Sequence, residues 1–256
     1  MDVFLPRQPN GTYHVPSTGQ ELCQSEPLHA QSPQQLASEV AELRKRNVRL
    51  VSIRRQQVMC LGRQELQGAL AANDIQVAAM GYAGGFTGSL GRSYECAVKD
   101  MLRALELAAS FNAKSLVVVP GSRTKHTHNH ASRTILAGLD RCLDDALRFR
   151  IDLQIALNNV IGGRDDVFVP IGSTPLEWVE NFGSHRMKGL MVLRGASPWK
   201  DLPDSWQRCL KTGGILRLSR SCRQQAGTAS VLSRIVRGLS TWKPTAPESA
   251  VVSSSR

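Results

Sequence analysis

Short, continuously apolar runs alternate along the chain with longer stretches whose apolar residues recur every three or four positions. The short runs are VRLVSI (48–53), IQVAAM (75–80), SLVVV (115–119), LQIAL (153–157), GLMVL (189–193) and ILRLS (215–219). Runs apolar at consecutive positions suit parallel strands that are covered on both faces. The longer stretches predict helices. Residues 33–46 open on Ser32–Pro33 and carry Leu36, Val40 and Leu43 on one face. Residues 93–111 place Ala97, Met101, Ala104, Leu105 and Ala108 at helical spacing, and residues 130–148 do the same with Ile135, Leu139, Cys142, Leu143, Ala146 and Leu147. A capping signature, with Thr174 before Pro175 and Glu177, starts another helix, and two more are predicted over 202–212 and 228–240.

Strand and helix in strict alternation predict an all-parallel sheet, as an open doubly wound sheet or as a (β/α)8 barrel whose first and last strands are degraded or missing. No GxGxxG or GxxxxGK[ST] follows a strand, so nothing supports a nucleotide-binding fold. Residues 1–31 are rich in Pro, Gln, Ser and Gly and read as a poorly ordered arm with at most a remnant strand. The domain then spans 32–242, and 243–256 reads as a flexible tail.

Composition narrows the function. The 256 residues carry a net charge of +11, which favours anionic partners: phosphorylated metabolites, nucleic acid or a membrane surface. The basic residues are scattered and aromatics make up only 5 %, which argues against a nucleic-acid platform. The six cysteines form no CxxC pair, so a zinc ribbon is not expected. No apolar run approaches membrane-spanning length, and MDVFLPRQPNGTYHVP lacks a signal-peptide core. A cytoplasmic protein with reduced thiols follows as the expectation, with its oligomeric state left open.

Two loops draw attention to chemistry. AGGFTG (83–88) has three glycines, compatible with a phosphate-binding turn or with a tight exit from a strand. KHTHNH (125–130) sets His126, His128 and His130 at alternate positions. An extended segment would put all three on one face, as a chelate requires. A helix starting there would align only His126 and His130, and would offer free amides to an anion. Three roles stay open for this loop: ligand contact, plain helix start, or a metal site.

From Gly81 to Asn159 the chain resembles the xylose isomerase-like TIM barrels, most closely their sugar phosphate isomerase/epimerase branch. The features that carry the resemblance are AGGFTG closing the third strand, LVVVPG as the fourth, HTHNHASR opening the next helix and LQIALNN as the fifth. The resemblance implies a (β/α)8 barrel with its site at the C-terminal strand ends. It also implies a divalent metal held by Glu, Asp, His and a second Glu, polarising a sugar carbonyl while a carboxylate moves a proton. Here the corresponding positions offer Asn158, then Leu193 or Arg194, then Arg217, Ser219 or Arg220, and no final Glu-bearing strand is recognisable. An arginine repels a cation. At about 4 Å and an effective dielectric of about 20, each like charge costs roughly 4 kcal/mol.

The expectation is therefore a divergent sugar phosphate isomerase/epimerase-like barrel with no cofactor, the alternative being Mn or Zn in an altered site. Its mouth would be cationic and bind a small sugar-like or anionic ligand through Arg54, Thr87, His128, Asn158, Arg194 and Arg220. Two alternatives accompany it: a metal-independent isomerase with His126 or His130 as catalytic base, and a non-catalytic scaffold.

Overall fold

The computed structural model describes residues 12–14, 23–88, 91–122, 125–156, 187–193 and 215–218. Eight strands in these residues close a barrel in chain order: β1 (Thr12–His14), β2 (Cys23–Pro27), β3 (Leu50–Arg54), β4 (Gln76–Gly84), β5 (Ser115–Val119), β6 (Asp152–Ala156), β7 (Met187–Leu193) and β8 (Ile215–Leu218). From β2 through β8 every neighbouring pair is parallel. The apolar runs of the sequence are β3 to β8, as the alternation predicts.

The eighth place in the ring departs from the all-parallel expectation. There β1 runs antiparallel to both β2 and β8. The short connection from β1 to β2 suits an antiparallel pair, whereas a parallel neighbour needs a crossover of about a dozen residues or more. Both β1 and β2 fall in the stretch that reads as an arm. In β2 the inner Ser25 and the outer Glu26 are polar yet buried, so no apolar pattern announces the strand. Glu26 is held on the outer face by Arg46, whose Nη1 and Nη2 donate to its carboxylate at 3.0 and 2.6 Å.

Five helices cover the described strands: α1 (Pro33–Lys45), α2 (Arg55–Leu61), α3 (Arg63–Ala72), α4 (Tyr94–Ser110) and α5 (His128–Phe149). Ser32, Ser93 and Thr127 cap α1, α4 and α5, each side chain accepting from a backbone N–H three residues on. The main core lies between helices and strands. Val51, Ile53, Met80, Leu116, Val118, Leu153 and Ile155 meet Leu36, Met101, Leu105, Ile135 and Leu139. Each large side chain buried this way contributes about 1.5–3 kcal/mol of transfer free energy. The predicted faces of α1 and α4 are the buried ones. On α5 the apolar stripe ends earlier than its spacing suggests, because Leu147 in the last turn is exposed.

The short α2 and α3 have no counterpart in the sequence reading. Gly62, with φ +83°, breaks what would be one helix into two short ones, and neither half is long enough to show a clear period. The helices expected within 173–182 and over 202–212 and 228–240 lie outside the described residues.

Candidate ligand site at the barrel mouth

The C-terminal ends of the strands form the mouth. A small cavity opens there, lined among others by Pro27, Ser52, Arg54, Gly81, Tyr82 and Val117. Arg54 is the last residue of β3 and is paired in register with Gly81, which in turn pairs with Val117. Its guanidinium is exposed, and among the described residues no carboxylate forms an ion pair with it. Its backbone is fixed from the helix side. The Arg54 N–H donates to Gln57 Oε1 at 2.8 Å, while Gln57 Nε2 donates to the carbonyls of Leu28 and Ala30. The buried Gln57 thereby ties the end of β3 to the loop that leaves β2.

The next residue takes another direction. Arg55 donates to both oxygens of Asp100 on α4, at 2.8 and 2.7 Å, and to the Tyr82 carbonyl at 3.1 Å. Arg92 adds a second ion pair to Asp100 at 2.7 Å. The hydrogen bonds from Arg55, joined by those from Arg92, hold the Asp100 carboxyl below its usual range despite some burial. Asp100 is thus an anchor between α2, β4 and α4. Its place in the solvent-facing pattern of α4 gave no sign of this, because its partner lies far away in the chain.

The glycine loop resolves into a strand exit. Gly84 has φ +112°, and a Cβ there would stand 2.3 Å from the Val119 carbonyl oxygen. Gly85 N–H donates to that carbonyl at 2.8 Å, Phe86 N–H to Pro120 at 3.0 Å and Gly88 N–H to Gly85 at 3.1 Å. These amides are engaged by protein carbonyls and do not form an anion cradle. Phe86 is fully buried and its ring lies against Gly138 of α5.

The histidine loop is a helix start. Thr127 is the N-cap and accepts from His130 N–H at 3.3 Å. The His126 and His130 rings stack with centroids 4.7 Å apart, the pair that a helix aligns. His126 Nε2 lies 3.0 Å from the Thr87 carbonyl oxygen. A carbonyl only accepts, so Nε2 is the donor in this contact. Thr87 itself is buried, and its Oγ1 has no partner among the described residues. Neither His126 nor His130 lines the cavity beside Arg54. His128 is the first residue of α5.

Of the remaining candidates, Asn158, Arg194 and Arg220 lie outside the described residues. Arg217 pairs in register with Val192 and Thr12. Among the described residues no group of three His, Cys, Asp or Glu is placed to hold a metal ion. No helix among them is long and apolar enough to cross a membrane.

The fold is shared with solved structures. The 3-keto-D-glucoside 4-epimerase of E. coli superposes with a TM-score of 0.63 at 12 % identity, over 84 % of this chain and 86 % of that one. The D-allulose 3-epimerase of Methylomonas sp., in complex with D-allulose, gives 0.62 at 12 % identity, over 81 % and 76 %. The IolI protein, solved with a bound zinc atom, gives 0.54 at 12 % identity, over 82 % and 94 %. No curated protein matches the chain in sequence. Residues 32–187 match the family described as the xylose isomerase-like TIM barrel. The chain belongs to that family.

Proposed function

We propose that this barrel binds a small anionic or sugar-like molecule at its C-terminal mouth and works without its family's divalent metal. The carrying observation is Arg54, which lines the mouth cavity while no described carboxylate neutralises it. A guanidinium in that setting suits phosphate or carboxylate through charge-assisted, bidentate hydrogen bonds. The donor chemistry supports the same reading. The chain has Asn158 shortly after β6, Arg194 directly after β7 and Arg220 shortly after β8, where the resemblance calls for carboxylates and imidazole. An amide and two guanidiniums do not fit a divalent cation.

The ligands of the relatives point to the same class of molecule. One neighbour is solved with D-allulose, a small polyhydroxylated molecule. A cytoplasmic location accords with Cys60, Cys96 and Cys142 standing as free cysteines. The histidine base has less support, since His126 Nε2 is engaged by Thr87 and neither ring lines the cavity.

Two measurements on the purified full chain test the proposal. Metal analysis, with a chelator-treated control, should find no stoichiometric Mn or Zn; tight stoichiometric metal overturns the metal-free reading. A thermal-shift series with sugar phosphates and inorganic phosphate should raise the melting temperature of the wild type and not of Arg54→Met. No shift with any anion at millimolar concentration favours the scaffold instead.

A further inference from the structure

Inside the barrel, below the mouth, a hydrogen-bond chain has one unmade end. Ser115 and Gln154 lie on neighbouring strands and are both buried, Gln154 at 1 % exposure. Ser115 Oγ donates to the Ala78 carbonyl at 2.8 Å. A hydroxyl has a single hydrogen, so towards Gln154 the same oxygen can only accept, and Gln154 Nε2 meets it there. The direction of the chain fixes the amide, with its nitrogen on Ser115 and Oε1 turned away. That Oε1 is buried with no partner among the described residues, as is Ser25 Oγ. Buried acceptors are ordinarily satisfied, and each exception asks for an explanation.

The register places the Gln154 backbone beside the proposed site, while its amide reaches down to Ser115, two residues before Val117 on β5. Arg54, Gly81, Val117, Gln154 and Lys188 are successive partners in one row across five strands. The first three line the cavity, and Gln154 stands on the next strand. Ser25 lies two residues before the cavity-lining Pro27. The unmade acceptor needs a hydrogen-bond donor. A cationic donor is disfavoured in a row that carries Arg54, and one amide oxygen is too few ligands for a metal. A neutral donor fits there, and a ligand hydroxyl is one that a sugar-like molecule supplies.

We infer that Gln154 is the inner anchor of the mouth site, its Oε1 accepting from a hydroxyl of a ligand whose anionic group is held by Arg54. The ligand class is a hydroxylated anion that binds charge-outward, a sugar phosphate or hydroxy acid rather than a bare anion or a neutral sugar. Ser115 is a positioning residue, because it orients the amide without touching the ligand. The inference rests on the proposed role of Arg54.

The test is calorimetric titration of the full chain with fructose 6-phosphate and with inorganic phosphate. The wild type should bind the sugar phosphate more tightly, and Arg54→Met should weaken both probes. Gln154→Met, of similar length and without the acceptor, should weaken fructose 6-phosphate by about tenfold and change phosphate by less than about twofold, a loss confined to one hydrogen bond. If Gln154→Met leaves both affinities unchanged, or weakens both equally, the inner anchor is wrong and the Arg54 reading stands. If the wild type binds neither probe, or Arg54→Met changes neither, the Arg54 reading fails and takes the inference with it. Circular-dichroism melts establish folding. Should Gln154→Met not fold, Ser115→Ala carries the test: a loss specific to the sugar phosphate is expected, and unchanged affinities overturn the inference.

Discussion

Arg55 grips both oxygens of Asp100, at 2.8 and 2.7 Å, while Arg54, its neighbour in the chain, lines the cavity. Two adjacent arginines thus have opposite duties, one locking α2 to α4 and the other facing the mouth. Arg55 and Asp100 are each only about a quarter exposed, so their contact is better shielded than a surface pair. Replacing Asp100 by Asn should cost about 2 kcal/mol, the scale of hydrogen bonds to a charged group. The same bonds set a pH signature. The folded carboxyl titrates below its unfolded value, so the contribution is complete above about pH 4 and is lost as pH falls through the folded value. Thermal melts of wild type and Asp100→Asn should therefore differ at pH 6 and converge in acid. A gap that stays constant with pH would remove the charge from the explanation.

Gly138 faces the ring of Phe86, and a Cβ added there would stand 2.4 Å from Cδ1. Gly138→Ala should destabilise the protein by about 1–3 kcal/mol through overpacking, despite the better helix propensity of alanine. Adding Phe86→Leu should restore part of the loss, so the double variant should be more stable than the sum of single effects. Additive denaturation energies would mean that the two residues do not share the strain.

The stacked histidines tie the start of α5 to the loop after β4. The double variant His126→Ala/His130→Ala should lower stability by about 1 kcal/mol, the scale of one neutral hydrogen bond, and should keep the wild-type response to phosphate. Loss of that response would return the loop to the binding site.

Cys142 is buried against the strands, and burial pushes its thiol up to about 12. Cys60 and Cys96 are exposed. Alkylation of the native protein with iodoacetamide at pH 8, read by peptide mass mapping, should label Cys60 and Cys96 and spare Cys142 until denaturant is added.

Much of the barrel can be read directly from hydrophobic periodicity, because β3 to β8 and the buried faces of α1 and α4 follow their periods. The misses have local causes. In β2 the buried Ser25 and Glu26 are polar, the latter neutralised by an arginine that no short window can connect to it. The two halves α2 and α3 are cut short by Gly62. The candidate site was legible in part. Arg54 stands out as a strand-end residue, whereas Gln154 looks like one polar position in an apolar run until its amide is traced to Ser115. The histidines drew attention by spacing alone, and spacing does not say which atoms a carbonyl will occupy.

The antiparallel β1 gives the ring a seam. Thr12 pairs with Arg217 on one side and Ser25 on the other, so three residues join segments that are roughly two hundred positions apart, and loop-closure entropy makes such contacts slow to form. A barrel is commonly pictured as a circle without a beginning. This one has a latch, and the latch is its shortest strand.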